Sequence, residues 1–174
     1  MLKPIIMKIK ILSILAILIP FCCLSQENNS NNRFFKATIQ NIIMDIPEGF
    51  AAVENQPGFL HKGSASTIMV SEINNSPVSF TFNHLNPEQF EKDGSTLVNT
   101  EKIKTLSGSD ALLYTLKFMV TNKDDIKNNI EFERLILFTG DENTTICLVA
   151  NYPTLVKSLI SEPIKKSLFS VVFK

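Results

Sequence analysis

Histidine is the side chain best suited to general base catalysis at neutral pH, and the sequence has two, His61 and His84. His84 and Glu88 are four residues apart, which on one helix would place them on the same face. Pro87 lies between them, however, and favours a helix that starts there. His61 lies in a strand-like run without an obvious partner. We therefore predict structural or surface roles for both, and a hydrolase that uses His61 or His84 remains an alternative.

The other polar residues do not indicate a metal site or a phosphate-binding loop. Cys147 lies between Ile146 and Leu148, which predicts a thiol packed in the core rather than a nucleophile. Asp124 and Asp125 lack the alternating ligands and central glycine of a calcium loop, so we expect a solvated acidic pair. The six glycines are never clustered as a phosphate cradle requires. The sequence thus predicts no catalytic residue, no metal and no cofactor.

Three phenylalanines, Phe80, Phe82 and Phe90, are the best candidates for a partner or ligand surface. They fall in the segment 74–94, whose pattern does not decide between helix, strand and loop throughout. A short helix is predicted at Pro87–Lys92, with proline in its first turn and Phe90 buried. If Phe80 and Phe82 lie on a loop, they mark a partner or ligand groove, and otherwise they belong to the core.

Three strands in succession between Ser109 and Tyr152 organise the rest of the chain. Neighbouring residues of a strand point to opposite faces, so each strand can be divided by parity. Taken strand by strand, one face of the first carries Leu112, Tyr114, Leu116 and Phe118, one face of the second carries Phe132, Ile136 and Phe138, and one face of the third carries Ile146, Leu148 and Ala150. The opposite faces are also largely apolar, whereas a solvated face would alternate cleanly. The sequence therefore predicts a sheet covered by helices on both sides.

Shorter elements are predicted on either side of these strands. Before them we expect a hairpin over Phe35–Ile46 and strands at Ser66–Ile73 and Thr96–Lys104. After them, apolar residues spaced three and four apart predict a helix over Leu155–Leu168 that covers one face of the sheet. A break is expected in that helix at Ser161–Pro163, because proline interrupts a helical hydrogen bond.

The first 25 residues have the pattern of a secretory signal peptide. A basic start is followed by an apolar run of 14 residues, Ile11–Leu24, and by small residues before an expected cleavage at Gln26. We predict a flexible tether at 26–34 and one domain at 35–174. The protein is expected to be periplasmic or secreted. A lipid anchor on Cys22 or Cys23 is the alternative, although both fit a lipidation signal poorly.

The charge and cysteine content restrict the function classes. Removal of the leader takes away three of the 17 basic residues and none of the 17 acidic ones, which leaves a net charge of −3. A mildly acidic, mixed surface gives no electrostatic basis for binding nucleic acid. Only Cys147 remains after cleavage, so no internal disulfide is possible and the core must hold the fold unaided.

Several structural motifs of the chain together suggest a family. They are Ile46–Phe50, Pro57–Phe59, Ser66–Ile73, Phe132–Phe138 with Gly140–Glu142, Val149–Pro153 and Ser161–Leu168. With these motifs the chain, over about Phe35–Phe173, resembles small exported bacterial proteins related to PsbP, the extrinsic photosystem II protein, and to the DcrB-type lipoproteins. The resemblance implies an α/β/α sandwich with a largely antiparallel sheet of six or seven strands. It also implies a non-enzymatic binding or assembly role at a membrane face, but supplies no binding residues.

Three functions follow from these observations. The leading expectation is a non-enzymatic protein-binding or accessory module of the cell envelope, with an unknown envelope protein as its partner. A carrier of a small apolar ligand would instead have a deep cavity lined by Phe80, Phe82 and Phe90. A hydrolase would place His61 or His84 in a cleft within hydrogen-bond reach of a carboxylate or hydroxyl group.

Overall fold

A computed structural model describes residues 33–121 and 129–174. The predicted signal peptide, Cys22 and Cys23, nearly all of the predicted tether, and Asp124 and Asp125 lie outside these residues. The strands are β1 (Phe34–Ile39), β2 (Ile42–Pro47), β3 (Ala51–Ala52), β4 (Gly58–His61), β5 (Ser66–Asn74), β6 (Ser95–Lys104), β7 (Asp110–Val120), β8 (Ile130–Gly140), β9 (Thr144–Pro153) and β10 (Val172–Phe173). The helices are α1 (Val78–His84), α2 (Glu88–Lys92), a 3-10 turn (Thr154–Val156) and α3 (Lys157–Phe169).

The described strands form two antiparallel sheets. The larger has seven strands in the order β3-β4-β5-β9-β8-β7-β6, and the smaller has three in the order β1-β2-β10. The predicted run of β7, β8 and β9 forms consecutive antiparallel neighbours, and β5 joins the far side of β9. The fold class is therefore confirmed as α+β, with a central, mainly antiparallel sheet between helices.

We call the more deeply buried side of the seven-stranded sheet the first face. It carries a continuous apolar core to which Leu113, Leu137 and Leu148 contribute fully buried side chains. The three-stranded sheet covers this core through Ile42, Met44 and Ile46, and α3 adds Ile164 and Leu168. Helix α3 packs against β2 and β9. The parity division of the sequence is confirmed, because Ile146, Leu148 and Ala150 all lie in this core.

The opposite side, the second face, has a smaller core. Five buried residues make it up: Leu112, Tyr114, Leu116, Ile136 and Phe138. Helix α1 packs against β8 and β9, and α2 packs against β6. Neither short helix has a fully buried residue. The sheet is thus covered on both sides, as predicted, but unequally.

Two predictions about the helices were wrong. The break at Ser161–Pro163 does not occur, since α3 runs through Pro163 without interruption. Proline removes only one backbone donor, and burial of Pro163 and Ile164 against the first face favours a continuous helix. The apolar stripe is also narrower than expected, because Leu155 is 90% exposed and Leu159 is 76% exposed.

The segment before α2, which the sequence left open, is also helical. Val78, Phe80 and Phe82 alternate as in a strand but lie in α1. Backbone bonds from Ser76 to Asn143 and from Val78 to Asp141 attach the start of α1 to the β8–β9 turn. The short helix α2 is confirmed, and the Asn86 side chain accepts the backbone N–H of Glu88 at 3.0 Å. No helix among the described residues is long and apolar enough to cross a membrane.

Candidate functional site

The second face is left uncovered over β5 and β9, beside α1. Met69, Ser71 and Ile73 of β5 stand opposite Val149, Cys147 and Thr145 of β9, respectively, and point to the second face. In the described residues, no helix has more than marginal contact with β4 or β5. We call Met69, Ser71, Ile73, Cys147 and Val149 the open strip. It has no charged side chain, and Ile73 is 44% exposed.

The open strip contains the side chain of Met69 and the thiol of Cys147. A Cβ atom at Gly58 would lie 2.4 Å from the Sδ atom of Met69, so the absence of a side chain at Gly58 leaves room for Met69. Burial raises the pKa of the Cys147 thiol to about 11, against a small opposing effect of its bond with the Ser71 hydroxyl. The thiol is therefore protonated at neutral pH, and the side chain packs, partly buried, against the second-face core.

Phe80 lies in α1, beside the open strip, and is 55% exposed. Residues two apart on a helix point about 200° apart, and Phe82 packs on the second-face core, so the Phe80 ring points away from that core. Its ring stacks on His84, with centroids 4.0 Å apart, and the His84 Nδ1 atom donates to the Phe80 carbonyl oxygen at 2.9 Å. This local contact stabilises the exposed end of α1 and holds the Phe80 ring in place.

Phe82 and Phe90 point into the second face instead. Phe90 packs edge-on against Tyr114, with ring centroids 5.3 Å apart. Phe82 lines a cavity of about 300 Å³ together with Lys102, Ile103, Asp110 and Ala111. That volume is at the lower limit for small-molecule pockets, and two of the five lining residues are charged. The three phenylalanines therefore do not line one surface, and Phe80 is the one that is mostly exposed.

Arg134 lies beyond Val149 at the end of the open strip opposite Ile73. Its Nε atom donates to the Asn151 Oδ1 atom at 2.7 Å, and the Asn151 amide donates in turn to the Thr67 hydroxyl at 3.2 Å. The guanidinium carbon lies 4.4 Å from the centre of the Phe118 ring. Partial burial lowers the pKa of Arg134, and attraction to Asp93 opposes that effect. The side chain is held in one orientation by direct contacts with β9 and β7, and its partner Asn151 is held in turn by β5.

On the first face, Glu133 forms a buried polar cluster with Tyr152 and Lys157. The Glu133 carboxylate is 2% exposed, accepts a hydrogen bond from the Tyr152 hydroxyl and lies 2.6 Å from the Lys157 Nζ atom. Burial, followed by the bond to Glu133, raises the pKa of Tyr152 far above its ordinary value. Because Lys157 begins α3, this cluster attaches the helix to β8 and β9.

His61 is part of a hairpin-turn network. Its Nδ1 atom accepts the backbone N–H of Ser64 at 3.1 Å and lies 2.8 Å from the Ser64 hydroxyl, which donates to Ser66. The Ser64 contact meets the distance criterion set for a hydrolase. However, Nδ1 is already bonded to the backbone, and no described carboxylate bonds to the ring. The ring also packs on Phe50 at 5.3 Å, so these contacts account for His61 structurally.

The sequence did not predict a role for Glu133 or Arg134. Their signal is two opposite charges in succession within a largely apolar strand, because neighbouring residues of a strand must point to opposite faces. Among the described residues, no group of three or more His, Cys, Asp or Glu side chains could hold a metal ion.

Comparisons with known proteins reveal similarity of fold and not of sequence. No protein-family profile and no curated protein sequence matches the chain. Among solved structures, LpqN, involved in cell envelope biogenesis of Mycobacterium tuberculosis, matches with a TM-score of 0.54 and 9% identity, over 83% of this chain and 94% of LpqN. The Ran-binding protein Mog1p of Saccharomyces cerevisiae matches with a TM-score of 0.53 and 10% identity, over 81% and 95% of the two chains.

The cyanobacterial PsbP of Synechocystis also matches, with a TM-score of 0.50 and 13% identity, over 82% of this chain and 94% of PsbP. A structure from Bacteroides thetaiotaomicron matches with a TM-score of 0.50 and 14% identity over 82% of this chain, which spans about half (48%) of that protein. The chain therefore has a PsbP-like fold, as the resemblance implied.

Proposed function

We propose that this protein is an exported, non-enzymatic accessory module of the cell envelope that binds a protein partner through the open strip and Phe80. The observation that carries the proposal is an uncharged, partly exposed stretch of sheet beside α1, whose Phe80 ring is exposed. This stretch lies on the second face, which has the smaller core and contributes less to stability. Contiguous apolar surface of this kind is typical of interaction sites, whereas single exposed apolar residues are ordinary.

Export is supported by the signal-peptide pattern of residues 1–25 and by the envelope role named for LpqN. A protein partner is supported by Mog1p, a protein-binding example of the same fold. The non-enzymatic proposal is supported by the local bonding of His61 and by the protonated thiol of Cys147.

Photo-crosslinking in the native envelope tests this proposal. A benzophenone amino acid is placed at Met69 or Ile73, in the open strip, and in a matched chain at Leu159, which is exposed and apolar but lies on α3. We expect a discrete adduct of the same mass from both strip positions and none from Leu159. Addition of a charge by Ser71→Asp, at an exposed position of the strip, should abolish the adduct while leaving the amount of exported protein unchanged.

Equal crosslinking from Leu159 and the strip would contradict the assignment of the surface. Cytoplasmic retention of the full chain, measured by fractionation, would contradict the proposed export. Both outcomes leave the fold unaffected, so the two parts of the proposal can fail independently.

A further inference from the structure

We propose that Arg134 binds a carboxylate group of the partner segment that occupies the open strip. This inference deepens the proposed function and rests on it for the identity of the ligand as a protein. It supplies what the strip itself lacks, namely a charged contact that orients the partner along β5 and β9. It assigns a binding role to a residue that maintains no ion pair in the described part of the fold.

Arg134 is a half-buried cation without a described counter-ion. Within residues 33–121 and 129–174, no carboxylate oxygen lies within 4.0 Å of its guanidinium, whereas Lys104, Lys117 and Lys157 each have one within 2.9 Å. Removal of a cation from water is unfavourable unless a partner compensates for it. Asp93 attracts it only from a greater distance.

The guanidinium is also oriented for binding. Its Nε atom is bonded to Asn151, so the two terminal nitrogens remain, and neither has an acceptor among the described residues. These two nitrogens form a planar fork that matches the two oxygens of a carboxylate. Because Asn151 is itself bonded to Thr67 and one face of the fork lies over Phe118, little side-chain freedom remains to be lost on binding.

A carboxylate on a protein segment fits this site better than a phosphate does. The site has one positive charge and aromatic surroundings, since Phe118 packs on Phe132 with ring centroids 5.6 Å apart. The sheet register places Arg134 beside Asn151, and Val149 is two residues further along the same strand. Two residues of a strand span roughly 7 Å, so a partner with its carboxylate on Arg134 places its neighbouring apolar side chains on Val149 and Met69.

Binding of 4-phenylbutyrate, which joins a carboxylate to an apolar body, tests the site. The full mature chain is titrated at constant ionic strength, and the Arg134 Nε–Hε resonance is followed by NMR. We expect a saturable shift with 4-phenylbutyrate, none with the uncharged 4-phenylbutyramide, and a weaker one with inorganic phosphate. Arg134→Gln should weaken binding about 10-fold or more, because the charged hydrogen-bond partner is lost, and Arg134→Lys should weaken it less.

Lys62→Gln is the matched control, because it removes one positive charge from an exposed position just after β4 of the same sheet. It should leave the dissociation constant within about 2-fold, as expected for a screened surface charge. Thermal unfolding of the variants is compared, and Arg134→Lys retains the charge if Arg134→Gln fails to fold. Equal binding by wild type and both Arg134 variants, or a stronger response to phosphate than to the carboxylate, would overturn the proposal.

Two further results separate this inference from the proposed function. If Arg134→Gln loses 4-phenylbutyrate but the Met69 crosslink persists at full yield, the partner does not use the carboxylate site and the inference fails alone. If Asp124→Asn with Asp125→Asn tightens 4-phenylbutyrate binding about 10-fold, a carboxylate of the chain itself occupies Arg134 and the inference is likewise overturned. Loss of the crosslink in Arg134→Gln and its partial retention in Arg134→Lys, with folding intact in both, supports it.

Discussion

The two faces of the seven-stranded sheet are built from the same strands but serve different purposes. The first face is sealed by α3 and a second sheet, and its core is continuous from Phe59 to Leu168. The second face is covered only by α1 and α2, which together contribute no fully buried residue. Since apolar burial is the dominant stabilising term in folding, the first face carries most of the stability. The second face is thereby free to leave apolar surface open for a partner.

The same contrast holds for charge. Each face has one polar cluster on β8, and the two clusters begin at adjacent residues, Glu133 and Arg134. Glu133 is fully enclosed and paired, so it fastens α3 to the sheet. Arg134 is fixed in orientation but has no described counter-ion. Glu133 thus serves the fold, whereas Arg134 is the charge that we propose for recognition of a carboxylate.

Truncation of two neighbouring residues of β9 tests most directly whether the two faces contribute unequally to stability. Leu148→Ala truncates a fully buried side chain of the first face and should lower the free energy of unfolding by about 2–5 kcal/mol. Val149→Ala truncates a half-buried side chain in the open strip and should cost about 1 kcal/mol or less. Urea unfolding of both variants measures the difference. Equal losses per carbon atom removed would show that the two faces contribute alike.

A second test compares two carboxylates on the same face of β8. Glu133→Ala leaves the buried Tyr152 hydroxyl without a partner, which should cost about 2–4 kcal/mol. Glu131→Ala removes an ion pair with Lys117 that lies at the surface, so only a small loss is expected. Glu133→Gln retains an acceptor for Tyr152 and should fall between the two. Equal effects of the two alanine variants on urea unfolding would refute a special role for Glu133.

The pH dependence of stability tests the burial of the Tyr152 hydroxyl beside Glu133. The pKa of Tyr152 in the folded protein is raised above its ordinary value of 10.0. Its contribution is therefore fully present below pH 10 and is lost as the pH rises further, because the unfolded chain releases that proton first. The loss approaches about 1.4 kcal/mol per pH unit. Tyr152→Phe should show a shallower decline between pH 10 and 11 in urea unfolding, and an identical slope would contradict the burial of this hydroxyl.

The smallest effect on stability is expected at Phe80. Phe80→Ala removes a mostly exposed ring and should change the free energy of unfolding by less than about 0.5 kcal/mol, while reducing the crosslink at Met69. Phe82→Ala is the control, because it removes a ring packed against the second-face core and should cost more stability. If Phe80→Ala binds the partner as wild type does, the ring is not part of the binding surface.

The sequence predicted the strands best where both faces are apolar. In β9 the alternation of Ile146, Leu148 and Ala150 with Cys147 and Val149 gave the correct faces, because side-chain direction in a strand depends only on parity. Helix α1 could not be predicted in the same way. Its phenylalanines alternate like those of a strand, and it is held by bonds to the distant turn at Asp141–Asn143.

The candidate site was the least predictable part. The bond of Arg134 to Asn151, and of Asn151 to Thr67, depends on the pairing of β9 with β8 and β5, a register that no local pattern contains. The exposure of Phe80, as opposed to Phe82, likewise depends on which side of α1 faces the sheet. Composition and spacing were thus enough to predict the core, whereas the candidate site depends on strand pairings between residues far apart in the sequence.

The pairing of β5 with β9 also sets the order in which the protein can be made. Thr67 and Asn151, which meet across these strands, are 84 residues apart. Closure of so long a loop has an entropic cost that local hairpins avoid. The open strip therefore exists only once β9, near the end of the chain, has paired with β5 from its first half.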